Sequence, residues 1–159
     1  MSVGIEPFGF ALAHPGILVD SETFQGAPGL GAASSYNVAS SGELQVVSPS
    51  VHDTQSAPCW LVITADHRFA FVTNTASGSV SSYQIAADGT LTLLNAGAAS
   101  PGPVSFPVDM ALSKGSRYLY VLANSLRSVF GYRVESDGPL VQIAQVEGLP
   151  PASQGIASK

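Results

Sequence analysis

Three acid–base side chains in this 159-residue chain, Glu22, His52 and Asp53, could activate water. Glu22 ends a predicted strand beside a long loop over 23–31, so its carboxylate could act as a general base. His52 and Asp53 are predicted to lie in a loop that leads into an inner strand, and a histidine there can transfer protons near neutral pH. Each also has a structural alternative. Glu22 could cap backbone N–H groups at a strand end, and His52 and Asp53 could lie in a solvated loop.

Asn74, Asn124 and Arg127 are the residues predicted to bind substrate. The two asparagines fall at similar points of two repeated segments, where a ring of polar groups could line a binding site. Asparagine also satisfies the backbone of turns, which is the structural alternative. Arg127 could hold an anionic substrate through two parallel hydrogen bonds, or it could be a solvated loop residue.

No metal, disulfide or cofactor is predicted. The three histidines, His14, His52 and His67, do not have ligand-like spacing. The chain has one cysteine, Cys59, which excludes an intrachain disulfide and a multi-thiolate site. Because Cys59 alternates with apolar residues such as Leu61, we expect it to pack in the core rather than to act as a nucleophile. The sequence contains no G-x-S-x-G elbow, P-loop or dinucleotide-binding fingerprint.

The charge and hydropathy patterns argue against two classes of partner. The formal net charge is -5, and the six Lys and Arg residues form no run, which argues against nucleic acid. No apolar run approaches the roughly 20 residues of a membrane-spanning helix, so no membrane partner is predicted. The first residues have neither a basic patch nor a long apolar core. We therefore expect no secretory signal and take the cytoplasm as the default compartment.

A repeated pattern organises the positions of these residues. The segments SYNV at 35–38, SYQI at 82–85 and GYRV at 131–134 begin 47 and 49 residues apart, and each precedes a polar turn with glycine. A proline opens each unit, at Pro7, Pro58 and Pro107. Repeats of this length are typical of β-propeller blades.

Each unit contains four short runs rich in β-branched and aromatic residues, and no segment has a sustained helical period. The predicted strands are 8–13, 17–22, 32–38 and 44–50; 59–64, 69–74, 79–85 and 90–95; and 108–113, 118–124, 129–134 and 140–146. We therefore predict an all-β fold in a single domain over 1–159. It is a partial β-propeller with about three four-stranded antiparallel blades, over 7–52, 57–98 and 106–147. Residues 149–158 are predicted to form one extra C-terminal inner strand.

Three blades leave two end faces without a neighbouring blade. Because each blade buries apolar side chains against the next, bare faces favour association. We expect these faces to be covered by the remaining blades of a longer propeller, of which this chain would be the C-terminal part, or by a second copy of the chain.

Residues 58–94 resemble a blade of the lactonase family of seven-bladed β-propellers, the group that contains the propeller-type 6-phosphogluconolactonases and the carboxymuconate cyclases. The likeness lies in PCW at 58–60 leading into VIT at 62–64, FVTN at 71–74, GSVSSY at 78–83 and DGTLTLL at 88–94, and YLYV at 118–121 is similar. One departure is the turn ADHR at 65–68, where the family often has Pro-Asp-Gly-Arg.

The resemblance implies hydrolysis, or formation, of a lactone ring on a sugar acid or a muconate. We expect this activity to be incomplete in the present chain, because the chain would form only part of the propeller. The partner would then be a small-molecule lactone or sugar acid. The catalytic His, Arg and Glu of the family cannot be matched residue by residue to this chain, so their roles are not transferred. The alternative hypothesis is a non-catalytic propeller that binds proteins or ligands, because this fold has many unrelated functions.

Overall fold

The computed structural model describes residues 3–13 and 16–158, so His14 lies outside the described residues. Over this part of the chain, twelve β-strands and two short 3-10 helices follow one another, and neighbouring strands pair antiparallel. The all-β prediction is confirmed. None of the helices in the described ranges has the length and apolar character needed to span a bilayer.

The strands form three four-stranded sheets, each a meander in chain order. Blade 1 contains β1 (Pro7–Ala13), β2 (Ile17–Glu22), β3 (Ala32–Val38) and β4 (Leu44–His52); blade 2 contains β5 (Pro58–Ile63), β6 (Phe69–Asn74), β7 (Ser79–Ile85) and β8 (Leu91–Ala99); blade 3 contains β9 (Pro107–Leu112), β10 (Tyr118–Ala123), β11 (Ser128–Val134) and β12 (Leu140–Glu147). The 3-10 helices are Phe24–Gly26, after β2, and Lys114–Ser116, before β10.

The three sheets stack face to face around their first strands. β1 contacts β5 and β5 contacts β9, while β8 contacts both β4 and β12. The first strands therefore form the inner edge of the stack and the last strands form its outer edge, as in a propeller. Because a meander reverses direction at every turn, the loops after the even-numbered strands lie at one end of the blades, here called the upper end. The turns after the odd-numbered strands lie at the lower end.

Two apolar cores fill the spaces between the sheets. The core between blades 1 and 2 includes Val19, Leu61 and Tyr83, and the core between blades 2 and 3 includes Phe71 and Val121. Each strand contributes alternate residues to the core on one side, because successive side chains point to opposite faces of a sheet. A blade in the middle therefore has two buried faces, which explains why β6 is buried along its whole length.

One repeated position shows the effect of a neighbouring blade. Phe10, Leu61 and Met110 occupy the same place in the first strand of each blade, as their pairing with the second strand shows. Leu61 and Met110 are 2% and 1% exposed, whereas Phe10, which no described blade precedes, is 66% exposed. Phe8 and Leu12 are also exposed on this face, and Ile143 and Val146 are exposed on β12 of blade 3.

The residue before each first strand has the same backbone conformation in all three blades, although the amino acid differs. Glu6, Ala57 and Phe106 have φ angles of 60°, 52° and 47°, in the left-handed region that non-glycine residues rarely adopt. The carbonyl of each accepts a hydrogen bond from the backbone N–H of the residue after the second strand, which is Thr23, Thr75 or Asn124. This bond fixes where each blade begins relative to its own second strand.

The predicted extra inner strand over 149–158 is not formed. Residues 148–158 have turn and irregular backbone, although Ala152 has a φ of 61°, the conformation that precedes the other first strands. The segment then follows β9, where the Ile156 N–H donates to Asp109 Oδ2 at 2.9 Å and the Ser158 hydroxyl donates to the Leu112 carbonyl. A first strand in this fold pairs with a second strand, and no described strand is available to pair with this segment.

Equivalent tyrosines in blades 2 and 3 give a matched stability prediction. The Tyr83 hydroxyl donates to the Val51 carbonyl at 3.2 Å, whereas the buried Tyr132 hydroxyl has no hydrogen-bond partner among the described residues. We expect Tyr83→Phe to lower the free energy of unfolding by about 1 kcal/mol. Tyr132→Phe should leave it unchanged or raise it by up to about 1 kcal/mol, because it removes an unpaired polar group. Urea unfolding monitored by circular dichroism measures both, and equal losses would contradict the prediction.

The pH dependence of unfolding gives a second readout for the Tyr132 variant. Burial raises the pKa of Tyr132 from 10.0 to about 12, so the folded chain holds this proton more tightly than the unfolded chain. The resulting stabilisation is fully present below pH 10 and is lost as the pH rises through 12. Tyr132→Phe should flatten this part of the stability profile.

The bare face of blade 1 predicts self-association of the purified chain. Phe8, Phe10, Leu18 and Leu44 line an open apolar groove of about 380 Å³ on this face. We expect the chain to elute as more than a monomer in size-exclusion chromatography with light scattering, and Phe10→Ser to increase the monomer fraction. Val104→Ser is the control, because Val104 is 65% exposed but lies in the loop between β8 and β9. A monomeric unsubstituted chain would contradict the prediction.

Candidate functional site

The predicted site residues lie at the upper end of the blades, as the order of the strands requires. Glu22, His52 and Asn74 are the last residues of β2, β4 and β6, Asp53 and Asn124 directly follow β4 and β10, and Arg127 directly precedes β11. The structure brings two of them, Asp53 and Asn74, into one hydrogen-bond network. The others contact different segments of the chain.

Glu22 is fully buried and accepts three hydrogen bonds. Its Oε1 accepts from the Gly4 N–H and from the Ser34 hydroxyl, and its Oε2 accepts from the Ser50 hydroxyl, each at 2.7 Å. Glu22 is 0% exposed, and Gly4 lies directly against the carboxylate. A Cβ at position 4 would lie 2.1 Å from Glu22 Cδ, so a side chain there would displace the carboxylate. The segment before β1 therefore closes over Glu22.

Asp53 and Asn74 belong to a buried network that joins blade 2 to the loop leading into it. Asp53 Oδ1 accepts from the Gln55 N–H at 2.8 Å, and its Oδ2 accepts from the Ser81 hydroxyl at 2.7 Å. Asn74 Nδ2 donates to Ser81 Oγ at 2.8 Å and to Ser79 Oγ at 3.2 Å. Asn74 Oδ1 has no hydrogen-bond partner within the described ranges. Both residues are fully buried, so this geometry fixes the loop after β4 against β6 and β7.

The two buried carboxylates act on a shared tyrosine. Burial, then the charge of Asp53 and its hydrogen bond, and then the charge of Glu22 raise the pKa of Tyr83 far above its ordinary value. The Tyr83 hydroxyl therefore keeps its proton near neutral pH, which suits its donation to the Val51 carbonyl.

His52 is placed differently from the prediction. It ends the outermost strand β4, is paired with Ala32 and is exposed, so it does not lie in the loop leading to an inner strand. Its Nδ1 lies 3.0 Å from the Leu30 carbonyl oxygen, and its ring centroid lies 5.4 Å from that of Phe24. The difference arises because β4 extends two residues beyond the predicted end at residue 50. Asp53, the next residue, is buried, so the two side chains have separate surroundings.

Asn124 and Arg127 hold the C-terminal segment. Asn124 Nδ2 donates to the Ser153 carbonyl at 2.6 Å, and Arg127 Nε donates to the Leu149 carbonyl at 2.7 Å. The Leu149 N–H donates in return to the Arg127 carbonyl at 3.0 Å. Arg127 is exposed, and its Nε is occupied by this contact.

Asn124 is not the counterpart of Asn74, contrary to the repeat alignment. The opening prolines Pro7, Pro58 and Pro107 pair with Glu22, Asn74 and Ala123 respectively. These three paired residues are therefore equivalent, and Asn124 follows that position by one residue. The equivalent place in the three blades holds a carboxylate, an amide and a methyl group, which is not a ring of asparagines.

Cys59 on β5, Asp109 on β9 and Thr75 after β6 lie close enough to interact, and they were not selected from the sequence as a site. Burial raises the pKa of the Cys59 thiol, a hydrogen bond with Thr75 lowers it, and the nearby Asp109 charge raises it. The shift is upward, so the thiol stays protonated near neutral pH and is a poor nucleophile. The signal in the sequence was a carboxylate, Asp109, within an otherwise apolar first strand.

Over residues 3–13 and 16–158, no group of three His, Cys, Asp or Glu residues could hold a metal ion.

Comparisons with known proteins agree with this geometry. The family profile described as "Lactonase, 7-bladed beta-propeller" matches residues 30–155. A functionally unknown protein from Desulfotomaculum acetoxidans superposes with a TM-score of 0.76 at 18% identity, over 93% of this chain and 44% of that one. The periplasmic gluconolactonase of Pseudomonas aeruginosa superposes with a TM-score of 0.67 at 22% identity, over 96% of this chain and 45% of that one.

These structural likenesses concern the fold, and they cover only part of each relative. The chain spans less than half of the length of the two solved structures. No curated protein matches the sequence.

Ser81 is the test of the buried network. Ser81→Ala removes the donor to Asp53 Oδ2 and one acceptor of Asn74 Nδ2, and leaves a buried carboxylate oxygen without this partner. We expect the free energy of unfolding to fall by about 1–3 kcal/mol. Ser125→Ala, at an exposed residue of the loop after β10, should change it by less than about 0.5 kcal/mol. Chemical unfolding of the three proteins measures the difference, and equal stabilities would show that the network contributes nothing.

Proposed function

Because this chain belongs to the lactonase family of seven-bladed β-propellers, we propose that it hydrolyses the lactone of a sugar acid. The family match over residues 30–155 is the observation on which the proposal depends. The likeness to a solved structure described as a periplasmic gluconolactonase supports a sugar-acid substrate. A muconate lactone is the second substrate class, and a panel of both distinguishes them.

Lactone hydrolysis needs a base that deprotonates water and donors that stabilise the oxyanion formed on the carbonyl oxygen. The upper end carries several carboxylates, among them Glu22 at the end of β2, Asp53 after β4 and Asp109 in β9. Asp53 is committed to Gln55 and Ser81, and Asp109 Oδ2 accepts from the N–H of Ile156.

Glu22 is the proposed general base, and its carboxylate is buried and hydrogen-bonded in this structure. Its two carboxylate oxygens accept hydrogen bonds from Gly4, Ser34 and Ser50, and a base must release at least one of these partners before it can bind water. Because Gly4 covers the carboxylate, water reaches it only if residues 3–6 move away. A purely structural Glu22 requires no such movement, so the two roles make different predictions.

Arg127 is the proposed contact for the carboxylate or hydroxyl groups of the substrate. Its Nε is bound to the Leu149 carbonyl, which holds the guanidinium in place and leaves the two terminal nitrogens as donors. His52 and Asp53 stay predictions as catalytic residues, and Asn74 and Asn124 as binding residues. Of these four, His52 is separated from the inner edge by the width of a blade, because it belongs to the outermost strand.

Glu22→Gln tests both the function and the base. We expect the unsubstituted chain to hydrolyse glucono-lactones faster than muconolactones, and Glu22→Gln to lower kcat by about 100-fold or more. Asp88→Asn, an exposed acid in the turn between β7 and β8 at the lower end, should retain the full rate.

Three results would revise this proposal. An unchanged rate with a lower unfolding temperature would show that Glu22 has a structural role only. Faster turnover of muconolactone would replace the substrate class. The absence of hydrolysis of either lactone, together with specific capture of a protein partner, would favour the non-catalytic binding module.

A further inference from the structure

A cleft at the lower end of the blades combines two arginines in equivalent positions. It has a volume of about 450 Å³ and lies between the turn after β5 and the turns after β9 and β11. Its lining includes Asp66, Arg68, Ser116, Arg117 and Glu135. The Ala65 N–H donates to Ser116 Oγ at 2.8 Å, so the first two turns are in direct contact.

Both guanidinium groups are oriented by the residue that follows them. Arg68 precedes Phe69, the first residue of β6, and Arg117 precedes Tyr118, the first residue of β10. The Arg68 guanidinium carbon lies 4.9 Å from the centre of the Phe69 ring, and that of Arg117 lies 5.5 Å from the centre of the Tyr118 ring. Contact with an aromatic face restricts a guanidinium while its N–H groups stay available at the edges.

Most of the donors in the cleft are not used within the chain. Arg68 donates one hydrogen bond, to the Ser136 carbonyl at 3.3 Å, and its closest carboxylate oxygen, Asp66 Oδ2, is 3.9 Å away. The Arg117 side chain forms no hydrogen bond or ion pair with the described residues, although its backbone carbonyl accepts from the Val134 N–H at 3.0 Å. An arginine side chain has five N–H donors, so the pair offers a surplus of donors in the lining of the cleft.

The two acidic residues of the cleft already have partners, which for Asp66 lie within the cleft itself. Asp66 Oδ1 accepts from the Thr64 hydroxyl at 2.6 Å and from the Arg68 N–H at 3.2 Å. Glu135 Oε1 is paired with Arg133 Nη2 at 2.7 Å. The charge of Arg117 is therefore not compensated by a close carboxylate, although the whole chain has a net charge of -5.

We propose that this cleft binds the phosphate group of a small molecule. Two guanidinium groups held on adjacent turns match a tetrahedral, doubly charged oxyanion, which accepts several charge-assisted hydrogen bonds at once. The Ser116 hydroxyl, which accepts from the Ala65 N–H, keeps its own proton free to donate to the same group. The volume is within the range of small-ligand sites.

This site is independent of the proposed hydrolysis. It lies at the opposite end of the blades from Glu22 and Arg127, and it involves none of the residues proposed for lactone binding. A failure of the hydrolase proposal therefore leaves the phosphate site standing, and the reverse also holds.

Inorganic phosphate titrated into the full chain tests the site. The amide signals of Ala65, Ser116 and Ser136 in two-dimensional NMR should shift in a saturable manner, with ionic strength kept constant by chloride because salt screens surface charges. Arg117→Gln should weaken phosphate binding at least about tenfold. Lys114→Gln is the charge-matched control, because Lys114 lies in the same turn but does not line the cleft.

The outcomes distinguish a specific phosphate site from non-specific attraction of anions to basic residues. Saturable shifts confined to the three turns, lost in Arg117→Gln and kept in Lys114→Gln, support the proposal. Equal weakening in both variants, shifts spread over all basic residues, or no saturable shift would overturn it. The Arg117 side chain makes no hydrogen bond or ion pair with the described residues and its contact with the Tyr118 ring is exposed, so Arg117→Gln should unfold at close to the temperature of the unsubstituted chain. A variant that unfolds earlier would be replaced by Arg117→Lys, which keeps the charge but loses the planar fork and should still bind phosphate more weakly.

Discussion

The burial of each blade face against the next is the constraint on which this structure depends. A four-stranded sheet of this length has apolar side chains on both faces, and neither face is stable in water. The same first-strand position is 2% exposed at Leu61 and 1% at Met110, but 66% at Phe10, which no described blade precedes. Radial stacking follows from this need, because it gives every face a partner and places all first strands at one edge. The order of the loops at the two ends of the blades is then a consequence of the meander.

The same constraint explains why two carboxylates at the upper end, Glu22 and Asp53, are buried. The loop that leads into a blade crosses the interface between two sheets, where its backbone and side chains lose contact with water. Asp53 compensates for this loss by accepting from Gln55 and Ser81, and Glu22 does so by accepting from Gly4, Ser34 and Ser50. An acid in this setting has a structural function whether or not it also has a catalytic one. Position at a strand end is therefore weak evidence for catalysis in a propeller, and measured rates must decide.

Much of the fold could be predicted because the signals are local. Strands such as 17–22 and 69–74 are indicated by short apolar runs and by the turns that bound them, and the repeat gives each unit two further copies for comparison. The site could be predicted less well, because its geometry depends on pairing between distant residues. Asn124 seemed equivalent to Asn74 in the repeat, but the pairing of Pro107 with Ala123 shifts it by one residue. His52 became part of β4 because Ala32 pairs with it, and the segment after Gly148 stayed irregular because a strand needs a partner.

Family membership fixes the scaffold more strongly than the ligand, because the loops rather than the sheets determine chemistry in a repeated fold. At the upper end, most of the polar groups identified from the sequence hold a segment of the chain: Glu22 holds the segment before β1, and Asn124 and Arg127 hold the segment after β12. At the lower end, Arg68 and Arg117 are oriented by aromatic rings and most of their donors are not engaged. A ligand gains most where oriented donors have no internal partner, since no existing hydrogen bond must be broken. The two ends of the blades therefore place different demands on a ligand. Binding at the upper end requires the chain segments held there to move, whereas the lower cleft is already open before a ligand binds.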